Sequence, residues 1–200
     1  MRGHMFRGIL VLALGAGLMG SASCTMRQGE GNSYLIVESL RATAGGDDED
    51  AGTNLQSDVF TGGSVIEDEG IVTFRLGMKD PGGAVPTAAT SNNFITVNRY
   101  RVTYFRADGR NTPGIDVPFP FDGAFTVTVG SGGTSEANFS LVRIQTKAEA
   151  PLRALRGGSG ASVISTIAEV TFFGHDQTGN AVSAVARISI DFADFADSGT

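Results

Sequence analysis

The feature that most constrains this chain is a period-two alternation of apolar and polar residues, which recurs along most of its length. Apolar side chains at every second position place one face of an extended strand in a core. The alternation is clearest in residues 181–192, where the apolar positions are Val182, Ala184, Ala186, Ile188, Ile190 and Phe192. Helical periodicity is almost absent, so the pattern predicts an all-β protein.

Breaks in the alternation, many of them at glycines, divide the chain into about eight or nine predicted strands. The predicted strands are 34–43, two short ones within 58–66 around Gly62-Gly63, 71–79, 94–106, 124–129, 138–146, 162–174 and 181–192. Segments 44–54 and 80–93 are predicted loops, and segment 147–156 is the one helix-like piece. The last two strands are predicted to form a hairpin that pairs in the middle of a sheet.

The longest predicted strand changes phase in its middle. Ile95 and Val97 share one face, whereas Tyr100 and Val102 fall on the opposite parity. One extra residue in a strand swaps its two faces, so a β-bulge at residues 98–99 would place both sets in the core. The pattern therefore predicts one bulged strand that stays in the core along its length.

Short strands with glycine-rich turns and no crossover helices favour an antiparallel β-sandwich, with closure into a β-barrel as the alternative. Residues 168–192 (AEVTFFGHDQTGNAVSAVARISIDF) resemble the closing hairpin of bacterial immunoglobulin-like domains. The chain departs from antibody domains, since it has no Trp and a single Cys. The resemblance implies an immunoglobulin-like architecture only, because such folds host many functions.

The N-terminus has the pattern of a secretory signal. Arg2 and Arg7 precede an apolar stretch, residues 8–20, that is too short to cross a membrane as a helix. We therefore expect residues 1–23 to be removed from the mature protein.

Cys24, the only cysteine, directly follows the small residues 21–23. A lone cysteine in this position resembles the signal of bacterial lipoproteins, in which the cysteine is lipidated and becomes the first residue of the mature chain. Ser21 departs from that family's preference for an apolar residue. Cleavage of an ordinary secretory signal after Ser23 is the alternative.

Lipidation of Cys24 predicts a simple domain organisation: a signal peptide over residues 1–23, a tether over 24–33 and a single β-sandwich domain over 34–200. The ten-residue tether reaches about 35 Å at most when fully extended. The predicted location is the bacterial cell envelope, with the domain held close to a membrane by lipid and facing the periplasm or the exterior.

Charge and residue content exclude several function classes. Fifteen Lys and Arg against 21 Asp and Glu give a net charge of -6, which argues against a nucleic-acid partner. The chain has no G-x-S-x-G nucleophile motif and no glycine-rich phosphate loop before a helix. Without the signal, His175 is the only histidine, so the sequence supplies no zinc ligand set, and this histidine is predicted at the exposed tip of the last hairpin turn. No cofactor and no catalytic residue are predicted.

Carboxylates are the plentiful polar ligands of this chain. The weak calcium candidates are Asp108 with Asn111 and Asp176 with Asn180. The acidic runs 47–50 and 67–69 are further candidates. None has EF-hand spacing, and acidic runs usually keep a loop solvated. A hydrolase built on two carboxylates that meet in space remains the enzyme alternative.

Segment 107–123 (ADGRNTPGIDVPFPFDG) is the candidate partner-binding region. Val117, Phe119 and Phe121 alternate with prolines, which favour an extended path and an edge position. One interpretation is that the three side chains cap the sandwich core, and the other is that they form an exposed apolar ridge that docks a partner.

These observations together predict a lipid-anchored envelope protein with a binding or scaffolding role, whose partners are the membrane and another envelope protein. The competing class is a carboxylate-based hydrolase of the envelope. Two or three Asp or Glu side chains facing each other in a cleft would favour the enzyme, and carboxylates scattered at loop tips would favour the binding protein.

Overall fold

The structure is a computed structural model that describes residues 31–45, 51–79, 90–158 and 160–195. Within these residues the chain forms nine strands and one short α-helix. The elements are β1 (Ser33–Thr43), β2 (Asn54–Asp58), β3 (Asp68–Met78), β4 (Ile95–Phe105), β5 (Phe121–Gly123), β6 (Val127–Val129), β7 (Thr134–Val142), α1 (Ile144–Ala148), β8 (Ile164–Asp176) and β9 (Ala181–Ala193). Short 3-10 helices lie at Ser91–Asn93 and Leu152–Leu155. The prediction of an all-β chain with one short helix is confirmed.

The strands form two sheets that pack against each other. One sheet has the order β1-β3-β7, and the other has the order β2-β9-β8-β4-β5, with β6 also paired to β4. Every strand pair is antiparallel except β2 with β9, which run parallel. Neither sheet closes on itself within the described residues. The fold is therefore the predicted β-sandwich and not the alternative barrel.

Aromatic rings fill the core between the sheets. Phe74 of the smaller sheet lies edge-on to Phe172 of the larger one, with 5.0 Å between ring centroids. Phe139 of β7 makes similar edge-on contacts across the core with Phe172 and Tyr100, at 5.5 and 4.9 Å. Edge-to-face pairs add about 0.5–1.5 kcal/mol each beyond the burial of their area. These contacts cross from sheet to sheet, so they help to hold the sandwich closed.

Strands β8 and β9 form a hairpin at the centre of the larger sheet, flanked by β4 and β2. Ala168 pairs with Ile188 and Val170 with Ala186, and their side chains face the core. The predicted central hairpin with one apolar face is confirmed. Strand β8 continues to Asp176, so the turn is shorter than predicted.

The predicted bulge in β4 is present. The pairing of β4 with β8 shifts register between Val97 and Arg99. Ile95 on one side of the shift and Tyr100 on the other are both buried. The bulge therefore lets odd-numbered residues before it and even-numbered residues after it face the same core, as the phase change in the sequence predicted.

Several predicted boundaries in the second half of the chain are wrong. The predicted strand 138–146 is strand β7, which ends at Val142, and α1 follows it directly. The predicted helix 147–156 divides between the end of α1 and the 3-10 helix Leu152–Leu155. Pro151 lies between the two and has no backbone N–H to continue an α-helix. The predicted strand 124–129 shortens to β6.

Segment 58–66 also differs from its prediction. Thr61 and Ser64 exchange two backbone hydrogen bonds of 2.9 Å around the turn at Gly62-Gly63, but only an isolated bridge forms there. The extended strand in this region is β2, which lies earlier in the chain and pairs in parallel with β9. A parallel partner far along the chain leaves no turn signal beside the strand, which explains the error.

One end of the sandwich holds the first described residues, and we call it the N-terminal end. Gly31 lies so close to Asp176 that a Cβ added to the glycine would come within 2.4 Å of the carboxylate. The hydroxyl of Ser33 at the start of β1 donates to the carbonyl of Asn93, at 2.8 Å. The start of β1 and the β8–β9 turn are therefore neighbours.

The opposite end of the sandwich carries both short helices after β7, and we call it the helical end. There the hydroxyl of Tyr104 in β4 donates to the carbonyl of Leu141 in β7, at 2.8 Å. This bond joins the two sheets just before the chain enters α1. The segment that holds the candidate partner-binding residues leaves β4 at the same end.

Candidate binding groove

An open groove lies at the helical end between α1, the 3-10 helix that follows it and the proline-containing segment before β5. Its cavity volume is about 720 Å³, which is within the usual range for ligand clefts. Its lining residues are Phe119, Ala148, Glu149, Ala150, Arg153 and Ala154. A narrower extension of about 180 Å³ adds Pro120, Phe121, Arg143, Gln145 and Thr146. We call the two together the helical-end groove.

The structure separates the three predicted partner-binding residues. Val117 is only 1% exposed and belongs to the core. Phe121 begins the edge strand β5 and packs half-buried against the core. Phe119 is 52% exposed and lines the groove. The three side chains therefore do not form one exposed ridge, and Phe119 is the most exposed of them.

The backbone of Gly114 supports the ring of Phe119. Gly114 has a φ of +78°, a left-handed conformation that other residues rarely adopt. A Cβ at this position would lie 2.4 Å from the Phe119 ring. Both the backbone angle and the close approach require glycine, so the ring rests on a fixed support.

The groove combines apolar walls with charge. The guanidinium of Arg143 stacks 3.6 Å from the ring centroid of Phe121 and donates a hydrogen bond to the carbonyl of Asp122. Glu149 accepts a hydrogen bond of 2.8 Å from the amide of Gln145. Arg153, in the wider part of the groove, is exposed. Two cations and one carboxylate thus lie among the apolar residues that line the groove.

A buried ion pair anchors α1 below the groove. Lys147 Nζ lies 2.7 Å from Asp68 Oδ1, and the two side chains are 1% and 0% exposed. Ser57 Oγ donates to Asp68 Oδ2 at 2.6 Å, and the backbone N–H of Gly45 donates to Oδ1 at 3.2 Å. Burial raises the pKa of Asp68 despite the opposing charge of Lys147. We call Ser57, Asp68 and Lys147 the buried cluster.

The buried cluster was not predicted from the sequence. Asp68 was expected to lie in the solvated acidic run 67–69, and no role was predicted for Lys147. One signal was available, because Asp68 has the same parity as the core residues Val72 and Phe74. An acidic residue in phase with a core face indicates a buried partner, but nothing local identifies which lysine supplies it.

Asp108 and Asn111, the first pair of calcium candidates, lie in an exposed loop. Asp108 Oδ2 lies 2.8 Å from Arg106 Nη2 and 3.1 Å from Arg110 Nε. The hydrogen bond from Arg106 holds the pKa of Asp108 well below its usual range. Asn111 Oδ1 accepts a hydrogen bond from the backbone N–H of Arg106 at 2.6 Å. The polar atoms of this pair thus bind the loop's own residues.

Asp176 and Asn180, the second pair, organise the β8–β9 turn. Asp176 Oδ1 accepts hydrogen bonds from the backbone N–H groups of Thr178 and Asn180, both at 2.9 Å, and from the Thr178 hydroxyl at 2.7 Å. Its Oδ2 accepts from Asn180 Nδ2 at 2.9 Å. Burial opposes ionisation, but the hydrogen bonds from Asn180 and Thr178 outweigh it and lower the pKa of Asp176.

A polar pocket of about 250 Å³ lies beside this turn at the N-terminal end. Its lining residues are Gly31, Asn32, Thr90, Asn92, Asn93, Asp176, Thr178 and Asn180. Asp176 is the only carboxylate among these lining residues. In the same way, Glu149 is the only carboxylate that lines the helical-end groove. Neither site therefore brings together the two carboxylates that the hydrolase alternative requires.

His175 lies within β8, paired with Thr96 and Ala181, and is half-buried. It was predicted at the exposed tip of the turn, and that position is wrong because β8 extends through Asp176. In the part of the chain that the structure describes, no three His, Cys, Asp or Glu side chains come together as a metal site.

The predicted signal peptide 1–23, Cys24 and most of the predicted tether lie outside the described residues. Among the helices that are described, none is long and apolar enough to span a bilayer.

Comparison with known proteins adds no family to this geometry. The chain matches no protein-family model, no curated protein and no solved structure. The resemblance of residues 168–192 to immunoglobulin-like domains therefore stays a prediction, and the chain is described by its own fold, a nine-stranded β-sandwich with a groove at its helical end.

Proposed function

We propose that this chain is a lipid-anchored protein of the bacterial cell envelope that binds another envelope protein through the helical-end groove. Cys24, in its position behind an apolar signal, supports the anchor. The half-exposed ring of Phe119 in an open groove carries the binding function. Exposed aromatic rings in pockets are the residues that most often dominate protein interfaces.

The placement of the two ends supports this proposal. The described chain begins at the N-terminal end, next to the β8–β9 turn, whereas the groove lies at the helical end. The 13 residues of β8 run between the two ends, a distance of about 40 Å at the rise of a β-strand. A lipid on Cys24 would therefore hold the N-terminal end near the membrane and present the groove away from it.

The lining of the groove indicates the chemistry of the partner. The ring of Phe119 and three alanines offer an apolar contact, and Arg143 and Arg153 add positive charge to the lining. The partner segment that fits is apolar with an acidic residue beside it, since arginine pairs well with carboxylates. The two described pockets each hold one carboxylate, so they do not supply the pair that the hydrolase alternative needs, and the exposed ring of Phe119 in the groove favours binding.

Site-specific photocrosslinking in the bacterium tests the binding function. A photoreactive phenylalanine analogue placed at Phe119 should give a discrete crosslinked species containing a second envelope protein. Val185, which is 53% exposed on the outer face of the larger sheet, is the matched control position and should give none. Equal crosslinking at both positions, or none at Phe119, would contradict the proposed groove.

Replacement of Cys24 tests the anchor separately. The variant Cys24→Ser should lose fatty-acid labelling and move from the membrane fraction to the soluble fraction, because one side chain supplies the lipid attachment. If Cys24→Ser stays in the membrane and the wild-type protein takes up no labelled fatty acid, the proposed lipid anchor is wrong. The binding function of the groove is tested independently by the crosslinking experiment.

A further inference from the structure

The buried cluster places an amine and a carboxyl group in direct contact where neither meets water. Lys147 Nζ and Asp68 Oδ1 are 2.7 Å apart, and both side chains are at least 99% buried. The cluster also joins distant parts of the fold, because Asp68 begins β3, Lys147 lies in α1 and Ser57 lies in β2. A bond between Asp68 and Lys147 would fasten α1 to the smaller sheet, and the hydrogen bond from Ser57 would connect the linked pair to the larger one.

The ion pair leaves donors of the Lys147 ammonium without an acceptor among the described residues. A lysine ammonium has three donors, and within the described residues Lys147 Nζ makes one hydrogen bond, to Asp68. Two full charges taken out of water repay their desolvation only when further hydrogen bonds satisfy both groups. The neutral amine and neutral acid, reached by one proton transfer from Nζ to Asp68, avoid that cost, and burial already raises the pKa of Asp68.

We propose that Lys147 and Asp68 are joined by an amide bond that forms inside the folded chain. The inference concerns the fold and does not rest on the proposed binding function. The amide would leave one N–H and one carbonyl in place of two buried charges. Its carbonyl oxygen would be Asp68 Oδ2, which already accepts the hydrogen bond from Ser57 at 2.6 Å.

The reaction balances without any other reactant. The lone pair of the neutral amine attacks Asp68 Cγ, and the Nζ–Cγ bond forms while the Cγ–Oδ1 bond breaks. Oδ1 leaves as water, carrying the acid proton and one proton from Nζ. The Ser57 hydroxyl stabilises the negative charge that develops on Oδ2 during the attack. Fixed contact between the reacting groups supplies the proximity that free amines and acids lack.

Peptide mapping of the purified full-length protein tests the bond directly. Trypsin cleaves after Arg41, Arg75, Arg143 and Arg153 but not after an amidated Lys147. The expected product is peptide 42–75 linked to peptide 144–153, lighter than their sum by one water molecule. Recovery of unlinked 42–75 together with 144–147 cleaved after Lys147 would overturn the proposal.

Two variants sharpen the test. Lys147→Arg keeps the positive charge but lacks the primary amine, so it should give no linked peptide. Asp68→Asn should give the same linked pair, with the loss of one ammonia molecule in place of water. A crosslink at Asp68 that persists in Lys147→Arg would show a different bond and overturn the assignment. The wild-type map remains decisive if either variant does not fold.

Discussion

Two aspartates, at opposite ends of the sandwich, are buried in different ways. Asp68 at the helical end is fully buried against Lys147, whose position in the chain is 79 residues away. Asp176 at the N-terminal end is 3% exposed and takes its hydrogen bonds from Thr178 and Asn180 in its own turn. The partners of Asp68 are brought to it by the tertiary fold, whereas the hydrogen-bond donors to Asp176 are its sequence neighbours.

The difference shows that burial alone does not set the charge state of a carboxyl group. Deep burial raises the pKa of Asp68, although Lys147, Ser57 and the backbone N–H of Gly45 oppose the shift. Burial also opposes the ionisation of Asp176, but the hydrogen bonds from Asn180 and Thr178 outweigh it and lower the pKa. The depth of burial and the hydrogen-bond donors together therefore decide whether a carboxyl group keeps its charge or its proton.

Removal of the long-range partner should have the largest effect. Asp68→Ala leaves the amine of Lys147 buried without its carboxylate, and we expect the free energy of unfolding to fall by about 3–5 kcal/mol. Chemical denaturation of the full-length protein measures this loss. The double variant Asp68→Leu with Lys147→Met removes both groups and should recover the part of the loss that comes from the unpaired amine, but not the part that comes from the amide bond. A single variant within 1 kcal/mol of wild type, roughly the cost of an exposed pair, would contradict the comparison.

Removal of the local carboxylate should cost less. Asp176→Ala deprives four partly buried donors of Thr178 and Asn180 of their acceptor, which should cost about 1–3 kcal/mol. The same denaturation experiment gives the value. A loss as large as that of Asp68→Ala would show that the turn is not a local unit.

The pH dependence of stability should also distinguish the two aspartates. The folded-state pKa of Asp176 lies below its ordinary value of 3.8, so its contribution is present above pH 3.8 and is lost as the pH falls further. In chains whose Asp68 is not amidated, the folded-state pKa of Asp68 lies above 3.8, so its ionisation opposes folding as the pH rises from 3.8, whereas an amidated Asp68 does not titrate. Asp176→Asn should therefore flatten the loss of stability in acid, and a variant as acid-sensitive as wild type would contradict the assignment.

The smallest effect is expected for His175, the neighbour of Asp176. His175→Ala should change the free energy of unfolding by about ±0.5 kcal/mol, because its imidazole carries none of the turn's hydrogen bonds and the residue is only half-buried. Chemical denaturation of His175→Ala and Asp176→Ala under the same conditions compares the two losses in the free energy of unfolding. A loss above 1 kcal/mol would give the histidine a structural role at this end.

The parts of the fold that follow from local pattern could be predicted. The hairpin of β8 and β9 and the bulge in β4 both follow from residue parity, which depends only on neighbouring positions. The start of α1 could not be predicted, since Ile144 continues an apolar alternation and yet begins a helix. Tertiary contacts of Lys147 with Asp68 and of the buried Leu152 favour the helical turns over further strand.

The candidate site divides in the same manner. The sequence identified Phe119 within a segment of alternating prolines and aromatics, but it could not separate Phe119 from Val117 and Phe121. Their separation depends on Gly114, whose left-handed backbone supports the Phe119 ring, and on the edge pairing of β5 with β4. Which apolar side chain stays exposed is a property of packing.

By itself, the sequence determined that the chain is all-β, with alternating strands of which one is bulged, because strand periodicity and glycine turns act over a few residues; the sheet order then distinguished the sandwich from the barrel. Only the tertiary structure decided that β2 pairs in parallel with β9, that Asp68 meets Lys147 and that Phe119 stands in a groove. Each of these joins segments that are distant along the chain. Such contacts form only when the core excludes water around both partners, and no local pattern records them.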